Sequence, residues 1–291
     1  MKRIILSLLV LLVSISTLYA QLERKLVNEN LPVELTFHAP RHINLLTVEP
    51  LDRKSMHFAI MHTFGPLDGG VENLFGLDNG ANIQFSFEFA LSDKVSLGVA
   101  RASMDKFYHV FGRYHILEQT QNDKMPISVS FAGGAGVNSS NYDNLPEAPP
   151  NFAERSSYFG QLMLARRFSP KLSIQLSPMF SYFVDPRSVY QIEGDQNFYF
   201  ALGMSGKFKV TDRSSLTLQW IPNLNSDLSN NIGIGWDIEA GGHVFQMYFV
   251  TSQALNEQYL LAGGNGSNPG EEFRLGFNVN RIFATGRKKA K

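Results

Sequence analysis

The sequence contains no cysteine. Disulfides and thiolate metal sites are therefore excluded, and so is a lipoprotein signal, which ends on a cysteine. It carries no net charge, with 26 Lys and Arg against 26 Asp and Glu. Nothing in that balance points to nucleic acid, which selects basic faces. Beyond residue 20 there is no apolar run of the roughly 18 residues that mark a spanning helix, and mean hydropathy is −0.11. Helical membrane spans are thus not expected. G-x-S-x-G and H-E-x-x-H motifs are missing, and the acidic residues have no EF-hand spacing. Gly133-Gly134-Ala135-Gly136 sits inside a strand pattern with no helix after it, so it is not a phosphate loop. Its small residues are expected to make room for a neighbour's bulky side chain.

What is present begins with an export signal. Lys2 and Arg3 form a basic start, Ile4–Val13 is an apolar run, and Leu18-Tyr19-Ala20 is a small-residue cleavage site. The run is too short for a membrane anchor, which needs about 20 residues. Residues 1–20 are read as a signal peptide, with the mature chain starting at Gln21.

Asn82–Leu91 sets the pattern for the rest. Ile83, Phe85, Phe87, Phe89 and Leu91 alternate with Asn82, Gln84, Ser86, Glu88 and Ala90. A period of two is a strand with one apolar and one polar face. The pattern recurs in Ser55–Phe64, Val95–Ala102, Lys106–Leu117, Ile127–Val137, Ser157–Phe168, Leu172–Phe183, Phe198–Lys209, Ser215–Ile221, Asn231–Ala240, His243–Thr251 and Glu272–Phe283. Pro178 interrupts one of these and predicts a bulge there. Phenylalanine is abundant, 23 residues, as a lipid-facing surface requires.

The connections test the same idea independently. Gly65–Gly80, Asn138–Ser156, Val184–Asn197, Pro222–Asn230 and Ser252–Glu271 are long. Ser92–Lys94, Ser169–Lys171, Thr211–Ser214 and Gly241-Gly242, which alternate with them, are short. Long outer loops alternating with short periplasmic turns mark a transmembrane barrel. Only Ser103–Asp105, a short outer loop, and Glu118–Met125, a longer inner turn, depart from the rule. The expected fold is all-β: an antiparallel transmembrane β-barrel of about 12 strands over residues 54–283. Residues 21–53 are read as a lead-in or partial plug, with Val33–Phe37 as a short strand, and residues 284–291 as a basic tail.

Alternation assigns His57, Glu88, His109, Arg113, His115, Arg167, Lys207, Lys209, Asp237, Glu239 and Arg274 to the lumen. One reading is a charged constriction selecting a solute. The other, preferred because both signs occur, is that the charges pair and keep the interior wet. Asp237 and Glu239 precede one short turn and Lys207 and Lys209 another, so the four are expected near the periplasmic mouth. His109 and His115 share a face, but six residues of strand separate them by about 20 Å, too far to share a metal. His38 and His42 lie close in sequence without a further ligand pattern. The loop acids Asp143, Glu147, Glu154, Glu193 and Asp195 are read as solvated. No cofactor, metal or catalytic residue is called for.

Four segments carry a resemblance: Asn73–Asp78 (NLFGLD), Leu91–Gly98 (LSDKVSLG), Leu176–Pro178 and, most specific, Asp237–Gln246 (DIEAGGHVFQ). Together, over roughly Val33–Phe283, the chain resembles a family of uncharacterised Gram-negative outer-membrane β-barrel proteins, a domain of unknown function. The resemblance implies fold and outer-membrane location and no substrate or catalytic residue. Many barrels end on an aromatic residue read by the barrel-assembly machinery, whereas Phe283 here is followed by a tail to Lys291. The expected function is a porin-like passive channel for a small solute, set in outer-membrane lipid. The alternatives are a structural, adhesive or assembly-partner barrel acting through its outer loops, and a membrane-embedded lipid-modifying enzyme.

Overall fold

The computed structural model describes residues 30–141, 151–186, 196–225, 230–262 and 273–286. The expected signal peptide and cleavage site, the acids Asp143, Glu147, Glu193 and Asp195, and the tail beyond residue 286 lie outside them.

A two-residue pair, β1 (Arg41–His42) and β2 (Leu45–Leu46), comes first. Twelve antiparallel strands then close into one barrel. They are β3 (Ser55–Pro66), β4 (Ala81–Ala90), β5 (Val95–Ala102), β6 (Tyr108–Leu117), β7 (Ser128–Val137) and β8 (Ser156–Arg167). The others are β9 (Leu172–Phe183), β10 (Phe198–Thr211), β11 (Ser214–Ile221), β12 (Asn231–Ala240), β13 (His243–Val250) and β14 (Arg274–Ala284). Each strand pairs with its sequence neighbours, and β14 closes on β3, with Phe277 opposite His62 and Asn280 opposite Ala59. Closure is what a membrane demands, because an open edge in hydrocarbon leaves backbone N–H and C=O groups unpaired at several kcal/mol each.

Facing follows the alternation. On β4, Phe85, Phe87 and Phe89 are exposed to the surroundings, while Asn82, Gln84, Ser86 and Glu88 are buried inside. Phe87→Arg is expected to destabilise the inserted barrel by roughly 2–4 kcal/mol near the bilayer midplane. Val71→Arg, at a side chain 78% exposed on the outer loop after β3, is expected to change nothing. The check is the urea midpoint of the heat-modifiable band in lipid vesicles; equal midpoints for the two variants would reverse the assigned facing.

The bulge expected at Pro178 is not formed. Pro178 faces outward and pairs with Leu202 of β10 in unbroken register. On the β8 side the pairs Gln161–Met179 and Leu164–Leu176 keep one register, and pairing lapses only between them. The missing N–H thus removes ladder bonds without shifting the strand. Bulges fall instead between His115 and Leu117, Lys209 and Thr211, and Arg274 and Gly276. The short strand expected at Val33–Phe37 is also absent, because Leu35 takes φ 55°, which no extended residue adopts; the extended pair comes later, at Arg41–Leu46.

Both departures from loop alternation have a structural reason. The longer inner turn after β6 holds the N-terminal segment: Val33 N–H donates to Gln119 O at 2.7 Å, and Gln121 N–H to Leu31 O at 2.9 Å. The short outer loop after β5 seats part of the last long outer loop, since Met104 and Phe107 share an apolar cluster with Tyr259, Leu260 and Leu261. That last loop carries a six-residue helix, α1 (Glu257–Ala262), whose residues are all buried. A buried helix was not expected in an outer loop.

Candidate functional site

The site is the barrel interior, and two inserts occupy it. One is the N-terminal segment, with Phe37, Ile43, Leu45, Leu46, Val48 and Leu51 all buried. The other is the loop carrying α1, entering from the side of the long loops.

The wall grips the N-terminal insert by its main chain. Five inward amides on five strands form a belt. Gln161 on β8 and Gln175 on β9 donate from Nε2 to Leu46 O at 3.1 and 2.8 Å. Gln175 Oε1 accepts Val48 N–H at 3.0 Å, and Gln219 Oε1 on β11 accepts Asn44 N–H at 3.1 Å. Gln246 on β13 donates to Arg41 O at 3.1 Å, and Asn278 on β14 to Ile43 O at 2.7 Å. A segment too short to pair its own backbone groups must find partners elsewhere once buried, and the belt supplies them.

Charged groups of the wall divide into separate contacts. Glu88 and Arg113 pair across β4 and β6, Nη2 lying 2.5 and 2.6 Å from the two carboxylate oxygens. Arg113 Nη1 also donates to Thr47 O at 2.9 Å, and Ser96 Oγ donates to Glu88. His57 lies 3.0 Å from Asn280 Oδ1 and 4.0 Å from Glu88. His115 Nδ1 contacts Ser130 Oγ at 2.8 Å. His109 instead lies 3.9 Å from Glu257, so the two histidines of β6 serve different contacts. Arg274 donates to Thr251 O at 2.6 Å.

At the short-turn end the four charges expected near the mouth make separate contacts. Lys207 donates to Leu35 O at 2.5 Å. Asp237 accepts from Gln246 Nε2 at 3.1 Å and lies 4.0 Å from His38. Lys209, a third exposed, pairs at 3.3 Å with the fully exposed Asp212 of the turn, and Glu239 lies at the rim beside Asp212 and Arg213. Arg167 donates to Glu34 O at 2.7 Å. Here a recess of about 480 Å³ opens beside Glu34, His38, Glu49, Asp52 and Glu118. Burial pushes the Glu49 carboxyl up to about 7, against a pull downward from its Phe37 N–H bond. Burial also pushes His38 and His42 down to about 4, leaving both neutral. His42 Nε2 donates to Leu218 O at 3.1 Å.

The two inserts meet. Arg41 Nη2 lies 2.6 Å from Glu257 Oε1, with the side chains 2% and 0% exposed. Asn44 Nδ2 donates to Ala254 O at 3.1 Å. Leu45 belongs to the same apolar cluster as Ala254, Tyr259 and Leu260. Alternation turns Gln161 and Asn278 inward, but neither Arg41 nor Glu257, nor Gln175, Gln219 or Gln246, stood out in the sequence. The amides are uncharged members of an alternating pattern. The signal for Glu257 was the apolar flanks of its segment, Ala254-Leu255 and Tyr259–Ala262, unusual for an outer loop.

The serine–histidine contacts His115–Ser130 and His38–Ser215 both face the interior, out of reach of bilayer lipid. Among the described residues no three His, Asp or Glu side chains gather to hold a metal ion.

A family model described as membrane bound beta barrel domain (DUF5777) matches residues 37–283. Among solved structures, an outer membrane channel from Pseudomonas putida F1 superposes with a TM-score of 0.51 at 13% identity, over 80% of this chain and 97% of that one. The KdgM porin gives 0.49 at 9% identity over 79% and 99%. An active-site mutant of outer membrane phospholipase A from Escherichia coli gives 0.45 at 12% identity over 83% and 94%. At such identities these likenesses describe the fold alone. No curated protein matches the sequence.

Proposed function

The chain belongs to the family of membrane bound β-barrel domains, and from that premise we propose that it is a porin-like passive channel of the outer membrane for a small polar solute, held closed by its two inserts. The observation that carries this reading is the polar wall. A permanently filled interior has no need of a polar wall, since a buried ion pair is often no better than a well-packed apolar pair of similar volume. This barrel instead keeps amides, serines, threonines and ion pairs along its inner face. Such a lining suits an interior that is wet when the inserts move aside. Twelve strands also lie between the eight that side chains fill and the 16 to 18 that leave an open channel.

The test is recording in planar bilayers. The full-length protein is expected to give infrequent discrete openings, with a reversal potential near zero across a salt gradient, because the lumen lining carries charges of both signs with no single-sign ring. A bilayer holding folded protein that never conducts, in wild type or with the inserts loosened, would overturn the channel and favour a non-transport role through the outer loops.

A further inference from the structure

We propose that the two inserts are one gate, locked in mid-lumen by the Arg41–Glu257 ion pair, so that lifting the outer loop releases the N-terminal insert and the reverse. Three contacts of different kinds join the inserts. The ion pair is at 2.6 Å with both side chains buried. The Asn44–Ala254 hydrogen bond lies beside it. Leu45 packs in the cluster built by Tyr259 and Leu260, where the Phe107 and Tyr259 rings meet at 4.8 Å, tilted by 49°.

The pair sets the coupling. Charges this buried are stable only together, since separating them strands each in a low-dielectric interior. The loop therefore cannot lift alone, and the insert cannot withdraw alone, unless water reaches the group left behind. His109 does not substitute for Arg41, because it is 3.9 Å from Glu257 and part of the wall. Each insert is also tied to the wall, Arg41 by its carbonyl to Gln246 and the loop by Asn82 donating to Gln253 O at 2.9 Å. A displaced insert thus has a defined seat to return to, as a gate requires.

The chain has no cysteine, so one introduced thiol gives a unique reporter. Ser181 is buried on β9, a strand that α1 packs against, and Ser205 is buried on β10 between Gly203, against which Leu45 packs, and Lys207, which reaches Leu35. Ser181→Cys reports access beneath the loop and Ser205→Cys access beneath the N-terminal insert. In folded full-length protein in detergent, the rate of labelling by a hydrophilic maleimide is measured for each reporter. Glu257→Gln, in the loop, is expected to speed labelling at Ser205→Cys, and Arg41→Gln, in the insert, to speed it at Ser181→Cys. The expected change is at least about fivefold, since coupling between sites is reciprocal and typically 5- to 150-fold. The exchanged pair Arg41→Glu with Glu257→Arg is expected to restore slow labelling at both.

Each substitution acting only at its own insert, or an exchanged pair no slower than the single variants, would overturn the single gate. Heat-modifiable mobility confirms that each variant is folded. If Arg41→Gln fails to fold, Asn44→Ala, in the same insert and losing its bond to Ala254 O, is read in its place at Ser181→Cys. The proposal takes the channel reading as its setting, but labelling reports access to the lumen whether or not ions pass. Cross-coupled labelling without conductance would keep the gate and remove the channel; conductance without cross-coupling would do the opposite.

Discussion

Arg113→Met is expected to lower the folding stability of the barrel by about 3–5 kcal/mol, the usual effect of leaving one member of a buried ion pair alone. Glu88 is 1% exposed, and its carboxylate is held by three contacts from Arg113 and one from Ser96. Without the guanidinium it must take up a proton or draw water into the wall. The pair joins β4 to β6 across β5, so the loss falls on strand packing rather than on the inserts alone. Glu88→Leu combined with Arg113→Met is expected to recover most of the loss, because an apolar pair of similar volume carries no desolvation cost. It should still loosen the N-terminal insert, which loses the bonds from Nη1 to Thr47 O at 2.9 Å and Pro40 O at 3.4 Å. Urea midpoints of the heat-modifiable band, wild type against the single and double variants, measure this. A single variant within about 0.5 kcal/mol of wild type, as for ordinary surface changes, would mean that water already shields the pair.

The strands were legible because a membrane strand writes its environment into the sequence at period two. Val95–Ala102, Leu172–Phe183 and Asn231–Ala240 occupy the very residues that the alternation marks. The chain cannot shift one residue without turning Phe85, Phe87 and Phe89 into a polar lumen. The long and short connections were legible for a similar reason, since short turns suit one side of the membrane. The interior was not. Its inserts have no period: Leu35 and Ile43 take φ of 55° and 54°, which breaks any alternation. The contact between Arg41 and Glu257 joins a lead-in to the last long loop, and local pattern is silent about such pairs. The charged lumen candidates were found by parity, yet parity cannot say that Glu88 would meet Arg113 while Lys207 would meet a backbone carbonyl. The amide belt was missed for a different reason: a glutamine on a polar face reads as solvated until a backbone segment is laid against it.

Gln175→Leu combined with Gln219→Leu is expected to release the N-terminal insert while leaving the wall folded. The double variant removes the acceptors of Val48 N–H and Asn44 N–H, both in buried chain. A buried donor left without a partner costs about 1–3 kcal/mol, so the docked insert should lose about 2–6 kcal/mol. At tenfold per 1.4 kcal/mol, the released population should rise roughly 30-fold to 20,000-fold. Leu46 O keeps its bond from Gln161 at 3.1 Å, so docking is weakened rather than abolished. The wall should hold because its ladders are main chain, and leucine is accepted on a strand. Gln84→Leu is the control: Gln84 also faces inward, but its Nε2 contacts only Met61 Sδ, at 3.6 Å, and not the insert. In planar bilayers the belt variant is expected to open far more often than wild type, and Gln84→Leu no more often. In limited proteolysis the insert should become cleavable at the buried Leu45-Leu46 in the belt variant alone. If the belt variant behaves like Gln84→Leu in both measurements, the amides do not hold the insert, and closure rests on the contact between Arg41 and Glu257.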